Sequence, residues 1–263
     1  MSPGDIAKLA MNYAQANRGN MYREPREHAT SWHARELCRM CGSCILAGRR
    51  SKHCPGRLNI AKITLLEDGT WGPARNIVSF TGGDLACQPE FYAESAQEIK
   101  GLGMDLWVLF ETNGYGLTPK NLDQFKDSGI DSFWLDIKAY DENVHKRLTG
   151  ASNRWILSLP SEIVDRSFVL EVLSLYVPGW VETDQIREIA ELLVQVDSEI
   201  PFTILAFFPE HKLTAVSSPS FQHMIEAYNA TRDVGLKNVR LGNVGRFVRT
   251  DEDYETLQAL GCV

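Results

Sequence analysis

Residues 106–114 read L-W-V-L-F-E-T-N-G, a short apolar run that ends in polar residues and a glycine. The apolar part has the length and the aromatic content of a buried strand. Similar runs lie at residues 76–80, 133–137, 168–177, 202–208 and 239–241. Helical patterns lie between them, at residues 90–101, 119–128, 142–148, 184–196 and 218–234. Strands that alternate with helices of this length predict βαβ units and a parallel sheet.

The ends of the predicted strands carry the most information. They read T-G-G-D at 81–84, E-T-N-G at 111–114, D-I-K at 136–138, P-G at 178–179 and G-N at 242–243. Each of these alone is typical of a turn, a loop or a surface ion pair. Their succession at consecutive strand ends predicts a ligand site, because the carboxyl ends of parallel strands face the ligand. There, Asp84 could bind an ammonium group and Lys138 a carboxylate. The pattern leaves a partial barrel or a doubly wound sheet open.

The chain also contains a cluster of cysteines. Four of its six cysteines form a C-x2-C-x2-C-x9-C pattern, at Cys38, Cys41, Cys44 and Cys54. Thiolates this close together usually share a metal, and a final Cys-Pro is typical of bacterial ferredoxins. A structural zinc could use the same cysteines with His33 or His53. Disulfides are disfavoured, because cysteines so near in sequence rarely reach disulfide geometry.

Composition excludes several classes of protein. The formal net charge is −7, which makes a broad electrostatic contact with nucleic acid unfavourable. The first residues lack the basic and apolar regions of a signal peptide. No apolar run is long enough to span a bilayer. We therefore expect a cytoplasmic protein with no nucleic-acid or membrane partner, in which clustered cysteines indicate a metal.

The ordered motifs resemble a known family. They are T-G-G-D (81–84), E-T-N-G (111–114), W-L-D-I-K (134–138), H-K-R-L-T-G-A-S-N (145–153) and L-Y-V-P-G-W (175–180). This set is similar to the radical S-adenosylmethionine (radical SAM) activating enzymes, above all the activases of glycyl radical enzymes such as pyruvate formate-lyase. F-F-P-E-H-K-L (207–213) through G-L-K-N-V-R-L-G-N (235–243) resembles the related archaeal and bacterial radical SAM proteins. The resemblance implies an α/β fold, a partial (β/α)6-type barrel with a cysteine-rich, ferredoxin-like segment.

The resemblance also implies which residues bind S-adenosylmethionine. They are Gly82, Gly83, Asp84, Glu111, Thr112, Asn113, Asp136 and Lys138. The first three would hold the methionyl amino group, and the next three would lie near the methionyl group and a bound cation. The last two would complete the contact with the methionyl carboxylate. The resemblance leads to no assignment of a catalytic side chain.

The largest departure from the family concerns iron. Members bind the catalytic [4Fe–4S] cluster through C-x3-C-x2-C, which this sequence lacks. Cys38, Cys41 and Cys44 are then either a variant catalytic triad or, with Cys54, an auxiliary ferredoxin-like cluster. The Cys-Pro at residues 54–55 favours the auxiliary cluster. An auxiliary cluster implies that the catalytic triad and the first barrel strand lie upstream of Met1 or have been lost. In addition, T-G-G-D-L replaces the usual T/S-G-G-E-P.

We therefore expect four regions: an N-terminal helical segment (1–37), a cysteine-rich iron–sulfur segment (38–75), a partial radical SAM barrel (76–250) and a C-terminal tail (251–263). The leading hypothesis is a radical SAM oxidoreductase that holds a [4Fe–4S] cluster and S-adenosylmethionine. It would generate a 5′-deoxyadenosyl radical that abstracts hydrogen from a small molecule or a protein such as a glycyl radical enzyme.

The expected electron donor is of the flavodoxin or ferredoxin type. Two other functions are open: a truncated or degenerate homologue that acts as an electron-transfer or scaffold protein, and a zinc-stabilised α/β binding protein.

Overall fold

The computed structural model describes residues 1–16, 63–65, 71–73, 77–82, 88–104 and 106–262. Contacts divide the chain into two compact units. The first comprises Met1–Thr112, Gly116–Phe133 and Arg166–Val169. The second comprises Asn113–Tyr115, Trp134–Asp165 and Leu170–Val263. Within the described part of the chain, no helix is both long and apolar enough to cross a membrane.

The strands follow the predicted alternation. They are β1 (Ile63–Leu65), β2 (Trp71–Pro73), β3 (Ile77–Phe80), β4 (Trp107–Thr112), β5 (Ser132–Asp136), β6 (Val169–Tyr176), β7 (Phe202–Ala206) and β8 (Val239–Gly242). Strands β1 and β2 form a separate antiparallel pair. The other six form one sheet in the order β3-β4-β5-β6-β7-β8. Parallel pairing joins β3 to β4, β6 to β7 and β7 to β8.

The strand order decides between the two architectures that the sequence pattern leaves open. From β4 onward, each strand of the larger sheet lies beside the strand that precedes it in sequence. A doubly wound sheet instead reverses its strand order at a switch point. The consecutive order is the one that a partial barrel requires, so the α/β fold expected from the sequence is confirmed.

The helices are α1 (Pro3–Ala16), α2 (Pro89–Gly101), α3 (Pro119–Asp127), α4 (Glu142–Thr149), α5 (Arg154–Asp165), α6 (Thr183–Val196), α7 (Phe221–Asp233) and α8 (Asp251–Leu260). Helices α2, α3, α4, α6 and α7 match the predicted ones to within about three residues at each end. Helix α5 has no counterpart in the predicted pattern, and α8 forms in the segment expected to be a tail.

Aromatic side chains build the core of the first unit. Phe110, Phe125 and Phe133 are almost completely buried. Their ring centroids lie 6.0–6.4 Å apart. Phe168 meets the Phe133 ring edge-on at 4.9 Å. Aromatic rings at such separations stabilise the core beyond the area that they bury.

Aliphatic residues build the core of the second unit. Alternate residues of β6 to β8 share one face of the sheet, and those of the apolar face include Val172, Ile204 and Leu241, which are buried. Helices α6 and α7 contribute buried residues of their own, among them Ile189 and Met224.

The segment after α8 contacts β8, the outermost strand of the sheet. The backbone N–H of Leu241 donates to the carbonyl oxygen of Cys262 over 2.9 Å. Cys262 is completely buried, and its carbonyl continues the hydrogen bonding beyond the last strand. The C-terminal segment therefore belongs to the folded second unit.

Candidate functional site

In the first unit, the ends of β3 and β4 are joined by a side-chain hydrogen bond. Phe80 and Phe110 are register partners near the ends of these strands. Two strand-end residues follow them, and the hydroxyl group of Thr81 donates to the carboxylate of Glu111 over 2.5 Å. This bond orients the Glu111 carboxylate, which the sequence analysis assigned to the cofactor.

Aromatic packing fixes the backbone beneath this bond. The rings of Phe80 and Phe110 stack with their centroids 4.7 Å apart. Tyr92 from α2 meets both rings edge-on, at 5.6 Å from Phe80 and 5.2 Å from Phe110. The residues that precede Thr81 and Glu111 are therefore held by a rigid cluster.

Gly82 begins the glycine-rich loop after β3. Its φ of +104° favours glycine, and among the described residues nothing lies within 4 Å of a Cβ placed there. The described residues therefore leave the backbone at Gly82 open on the side that a side chain would occupy. Gly83 and Asp84, the other two residues assigned to this loop, lie outside the described residues.

The end of β4 is followed by a tight turn in the second unit. The side-chain oxygen of Asn113 accepts a hydrogen bond from the backbone N–H of Tyr115 over 2.9 Å, which is an Asx turn. Gly114 has φ +81°, and a Cβ there would lie 2.5 Å from Leu159 Cδ1. The turn can therefore be closed only by glycine. Thr112, the last residue of β4, is buried.

An ion pair marks the end of β5. The ammonium group of Lys138 donates to Oδ2 of Asp136. Burial raises the pKa of Asp136, and the nearby charges of Lys138 and His145 oppose that rise. Lys138 keeps 39% of its side chain exposed, against 23% for Asp136. The ammonium group is thus accessible to a carboxylate while the aspartate holds it in place.

Two polar atoms on the same face of β5 have unused hydrogen-bonding capacity. Trp134 and Asp136 are two residues apart in one strand, so their side chains point to the same side. Among the residues that the structure describes, Trp134 Nε1 and Asp136 Oδ1 are buried without a hydrogen-bond partner. Buried polar groups are normally satisfied, so this face fits a polar ligand. The Trp134 side chain as a whole is half-buried.

The remaining strand ends of the second unit are bordered by cation–π contacts that the sequence did not predict. The Arg147 guanidinium lies over the Trp180 ring at 4.2 Å, and that of Arg246 over the Phe208 ring at 4.3 Å. Gly179 has φ +75°, and its N–H donates to the Glu182 carboxylate over 2.9 Å. The two cation–π pairs join residues that are distant in sequence, so no local pattern could indicate them.

The predicted metal ligands Cys38, Cys41, Cys44 and Cys54 lie outside the described residues. Within the described ranges, no group of three or more His, Cys, Asp or Glu side chains is arranged to hold a metal ion.

Comparisons with known proteins show which family and fold this chain resembles. The model of the radical SAM superfamily matches residues 64–193, from β1 into α6. A protein of Methanocaldococcus jannaschii named "Putative glycyl-radical enzyme activating enzyme" is 27% identical over 164 residues. That alignment covers 61% of this chain and 59% of the relative, so the chain spans less than two thirds of the relative's length.

Solved structures share the fold. A domain of the pyruvate-formate lyase-activating enzyme from Bacteroides vulgatus superposes with a TM-score of 0.54 and 20% identity, over 63% of this chain and 98% of that domain. SuiB of Streptococcus suis, solved with bound S-adenosylmethionine, gives a TM-score of 0.52 and 13% identity, over 65% of this chain and 40% of SuiB. The solved structures confirm the fold, and the resemblance to the radical SAM family is confirmed by the family model and by the Methanocaldococcus jannaschii relative.

Proposed function

We propose that this protein is an activase-like iron–sulfur enzyme that cleaves S-adenosylmethionine reductively, because residues 64–193 match the model of the radical SAM superfamily. When bound, a [4Fe–4S] cluster and S-adenosylmethionine would supply an electron and a 5′-deoxyadenosyl radical able to abstract hydrogen. The protein's part is to bind the cofactor, to orient it and to keep water away from it.

The observation that carries this proposal is the Asp136–Lys138 pair at the end of β5. A partly exposed ammonium group held by a half-buried carboxylate suits the α-carboxylate of an amino acid, since charge-assisted hydrogen bonds are the strong ones. The buried, unpartnered Oδ1 of Asp136 offers an acceptor to the same ligand. Lys138 would hold the methionyl carboxylate, and Asp136 would keep Lys138 in position.

The other proposed contacts belong to the ends of β3 and β4. The open backbone at Gly82, with Gly83 and Asp84, would hold the methionyl amino group. Glu111, kept in place by Thr81, would lie near the methionyl group with Thr112 and Asn113. Asn113 already uses its side-chain oxygen in the turn to Tyr115, so its part would be to shape the backbone.

The metal ligands proposed are Cys38, Cys41, Cys44 and Cys54. One sequence observation favours a second candidate function. The chain has no C-x3-C-x2-C, which suits a degenerate radical SAM homologue that serves as an electron-transfer or scaffold protein. The two candidates differ in whether S-adenosylmethionine contacts the cluster and is cleaved.

Anaerobic reconstitution of the full chain separates these candidates. Four irons and four sulfides per chain, an EPR signal that S-adenosylmethionine perturbs, and 5′-deoxyadenosine formed with dithionite would support the enzyme. An EPR signal indifferent to S-adenosylmethionine, with no 5′-deoxyadenosine, would favour the degenerate homologue. Zinc bound without sulfide would leave a zinc-stabilised binding protein.

For the substrate we propose a protein, specifically a glycyl radical enzyme. The support is the name of the Methanocaldococcus jannaschii relative. The electron donor would be of the flavodoxin or ferredoxin type. The test is the glycyl radical EPR signal after incubation with a candidate glycyl radical enzyme, S-adenosylmethionine and a reductant. A candidate whose reactive glycine is replaced by alanine is the control, and it should give no signal.

A further inference from the structure

The side chain of Asn153 has an unusual set of partners. Asn153 is 1% exposed and directly precedes α5. Its own carbonyl oxygen accepts from the Leu157 N–H over 2.9 Å, as that of a helix N-cap residue does. An asparagine at this position usually turns its side chain back to accept from the N–H groups of its own helix. Here the amide nitrogen donates away from the helix.

The amide of Asn153 is bound to the segment that follows Lys138. Its Nδ2 donates to the carbonyl oxygen of Ala139 over 3.0 Å and to that of Tyr140 over 2.7 Å. A carboxamide has two N–H donors, so both are used on consecutive carbonyl groups. Neither an aspartate nor an apolar side chain of the same size could do this.

These bonds act where the backbone leaves the sheet. Ile137, directly after β5, contacts β6, because its N–H donates to the Leu173 carbonyl oxygen over 3.0 Å. The N–H of Asp141 is held by the side chain of Gln185 over 3.0 Å. Lys138 lies between Ile137 and Asp141. Asn153 holds the two remaining residues of this segment, Ala139 and Tyr140. The path of the backbone at Lys138 is thereby fixed.

Helix α5 also abuts the turn after β4. A Cβ at Gly114 would lie 2.5 Å from Leu159 Cδ1 and 3.6 Å from Ile156 Cγ2, both of which belong to α5. The same helix, with the asparagine before it, thus contacts the backbone beside Asn113 and the backbone beside Lys138.

We infer that Asn153 is a positioning residue for S-adenosylmethionine, which acts by fixing the backbone that carries Lys138. The inference rests on the proposed function, because it takes Lys138 as a ligand of the methionyl carboxylate. Replacement of a merely structural asparagine would lower only the stability of the protein. Replacement of a positioning residue would also lower the affinity of the folded protein for S-adenosylmethionine, through Lys138.

The first measurement needs no cofactor. Hydrogen–deuterium exchange of the full chain should show that Asn153→Ala speeds exchange of the amides of residues 137–141 by about tenfold or more. The matched control is Asn238→Ala, which removes an amide donor to the Glu199 carbonyl oxygen just before β7 and β8. The control should leave residues 137–141 unchanged. If Asn153→Ala does so as well, the inference is wrong whether or not the protein binds S-adenosylmethionine.

The second measurement is a double-mutant cycle on S-adenosylmethionine affinity, by calorimetry on the reconstituted protein. Asn153→Ala should weaken binding about tenfold alone, and less than about twofold when Lys138→Met is already present. Equal losses in both backgrounds would mean that Asn153 does not act through Lys138.

Asn153→Ser, which keeps one donor, replaces Asn153→Ala if that variant does not fold. The wild-type protein could fail to bind S-adenosylmethionine while Asn153→Ala speeds exchange as expected. That result would count against the proposed function, but it would still show that Asn153 fixes the backbone.

Discussion

Thr81, at the end of β3, donates a hydrogen bond from its hydroxyl group to the carboxylate of Glu111, at the end of β4. The two residues are 30 positions apart in sequence. They meet because Phe80 and Phe110 are register partners in parallel strands. A carboxylate that is oriented in this way loses little freedom when a ligand binds, which favours affinity.

Replacement of Thr81 by valine tests how much the oriented Glu111 carboxylate contributes to the binding of S-adenosylmethionine. Thr81→Val keeps the shape of the side chain but removes the donor, so Glu111 becomes free to rotate. Because the bond is exposed, we expect a loss of stability below about 1 kcal/mol. Affinity for S-adenosylmethionine should fall about threefold to tenfold. Calorimetry and thermal unfolding measure the two quantities. Thr256→Val, which removes a hydroxyl bond to the Glu252 carbonyl in α8, should leave the affinity unchanged.

Replacement of Lys138 by methionine should weaken S-adenosylmethionine binding by roughly tenfold or more, since a charge-assisted hydrogen bond is lost. The loss of stability should be only about 1 kcal/mol, because the Lys138 side chain is 39% exposed and solvent screens its pair with Asp136. Lys120→Met, in the exposed first turn of α3, is the control for removal of one positive charge. Unchanged affinity in Lys138→Met would contradict the proposed role.

The same variant should change the pH dependence of stability. Burial already raises the pKa of Asp136, and Lys138 opposes the rise. Without Lys138 the pKa rises further, so the folded state binds a proton more readily than the unfolded state does. Lys138→Met should therefore recover stability relative to the wild type as the pH falls toward the raised pKa of Asp136. Chemical unfolding at a series of pH values measures this, and a constant difference would contradict it.

Replacement of Gly114 by alanine should be strongly destabilising. The new Cβ would lie 2.5 Å from Leu159 Cδ1 and 2.9 Å from Leu135 Cδ1, at a φ of +81°. Overpacking and the left-handed backbone together should cost roughly 2–4 kcal/mol in the free energy of unfolding. Urea unfolding measures the change.

Replacement of a second glycine separates the cost of overpacking from the cost of the left-handed backbone. Gly150 has nearly the same φ, +84°, but nothing lies within 4 Å of its Cβ position. Gly150→Ala should therefore cost only the backbone part, about 1 kcal/mol. If both variants lost equal stability, the contact with α5 would contribute nothing.

Glu142 should make stability sensitive to acid. Hydrogen bonds from Ser152 and Lys146, and the charge of Arg154, lower the pKa of Glu142 from 4.5 to about 2. Because the folded-state pKa is depressed, the contribution is fully present above about pH 4.5 and is lost as the pH falls toward 2. Glu142→Gln should be less stable than the wild type at pH 7, with a gap that narrows below pH 4.5 in thermal unfolding. A gap that stays constant down to pH 3 would show that Glu142 keeps its ordinary pKa.

The strand positions of the larger sheet could be predicted from sequence because the apolar runs stop at glycine or polar residues. The run at 106–110 is followed by Glu111, and the strand extends only to Thr112. Asp136 is the last residue of β5, and Lys138, two residues later, is close enough in sequence to pair with it. What the sequence could not give was the strand order, which depends on pairing between distant segments.

Helix α5 was missed for a local reason. Its sequence R-W-I-L-S-L-P-S-E-I-V-D carries Pro160 in the interior, where proline removes a backbone hydrogen bond and disfavours a helix. In the structure, Pro160 is buried, and Ser158 donates its hydroxyl to the Trp155 carbonyl oxygen. Tertiary packing thus overrides the weak propensity. Asn153 ends the motif H-K-R-L-T-G-A-S-N (145–153). The carbonyl groups that it binds lie 13 and 14 residues earlier, outside that motif, so the motif could not indicate them.

The hydrogen bond from Leu241 to Cys262 has a consequence for the behaviour of this protein at high concentration. Strand β8 is the outer strand of the sheet, and an outer strand with unpaired backbone groups is a template on which a second molecule can add a strand. The carbonyl of Cys262 occupies the Leu241 N–H and places a buried residue against that edge. Pairing with Cys262 therefore makes edge-to-edge aggregation through β8 less favourable.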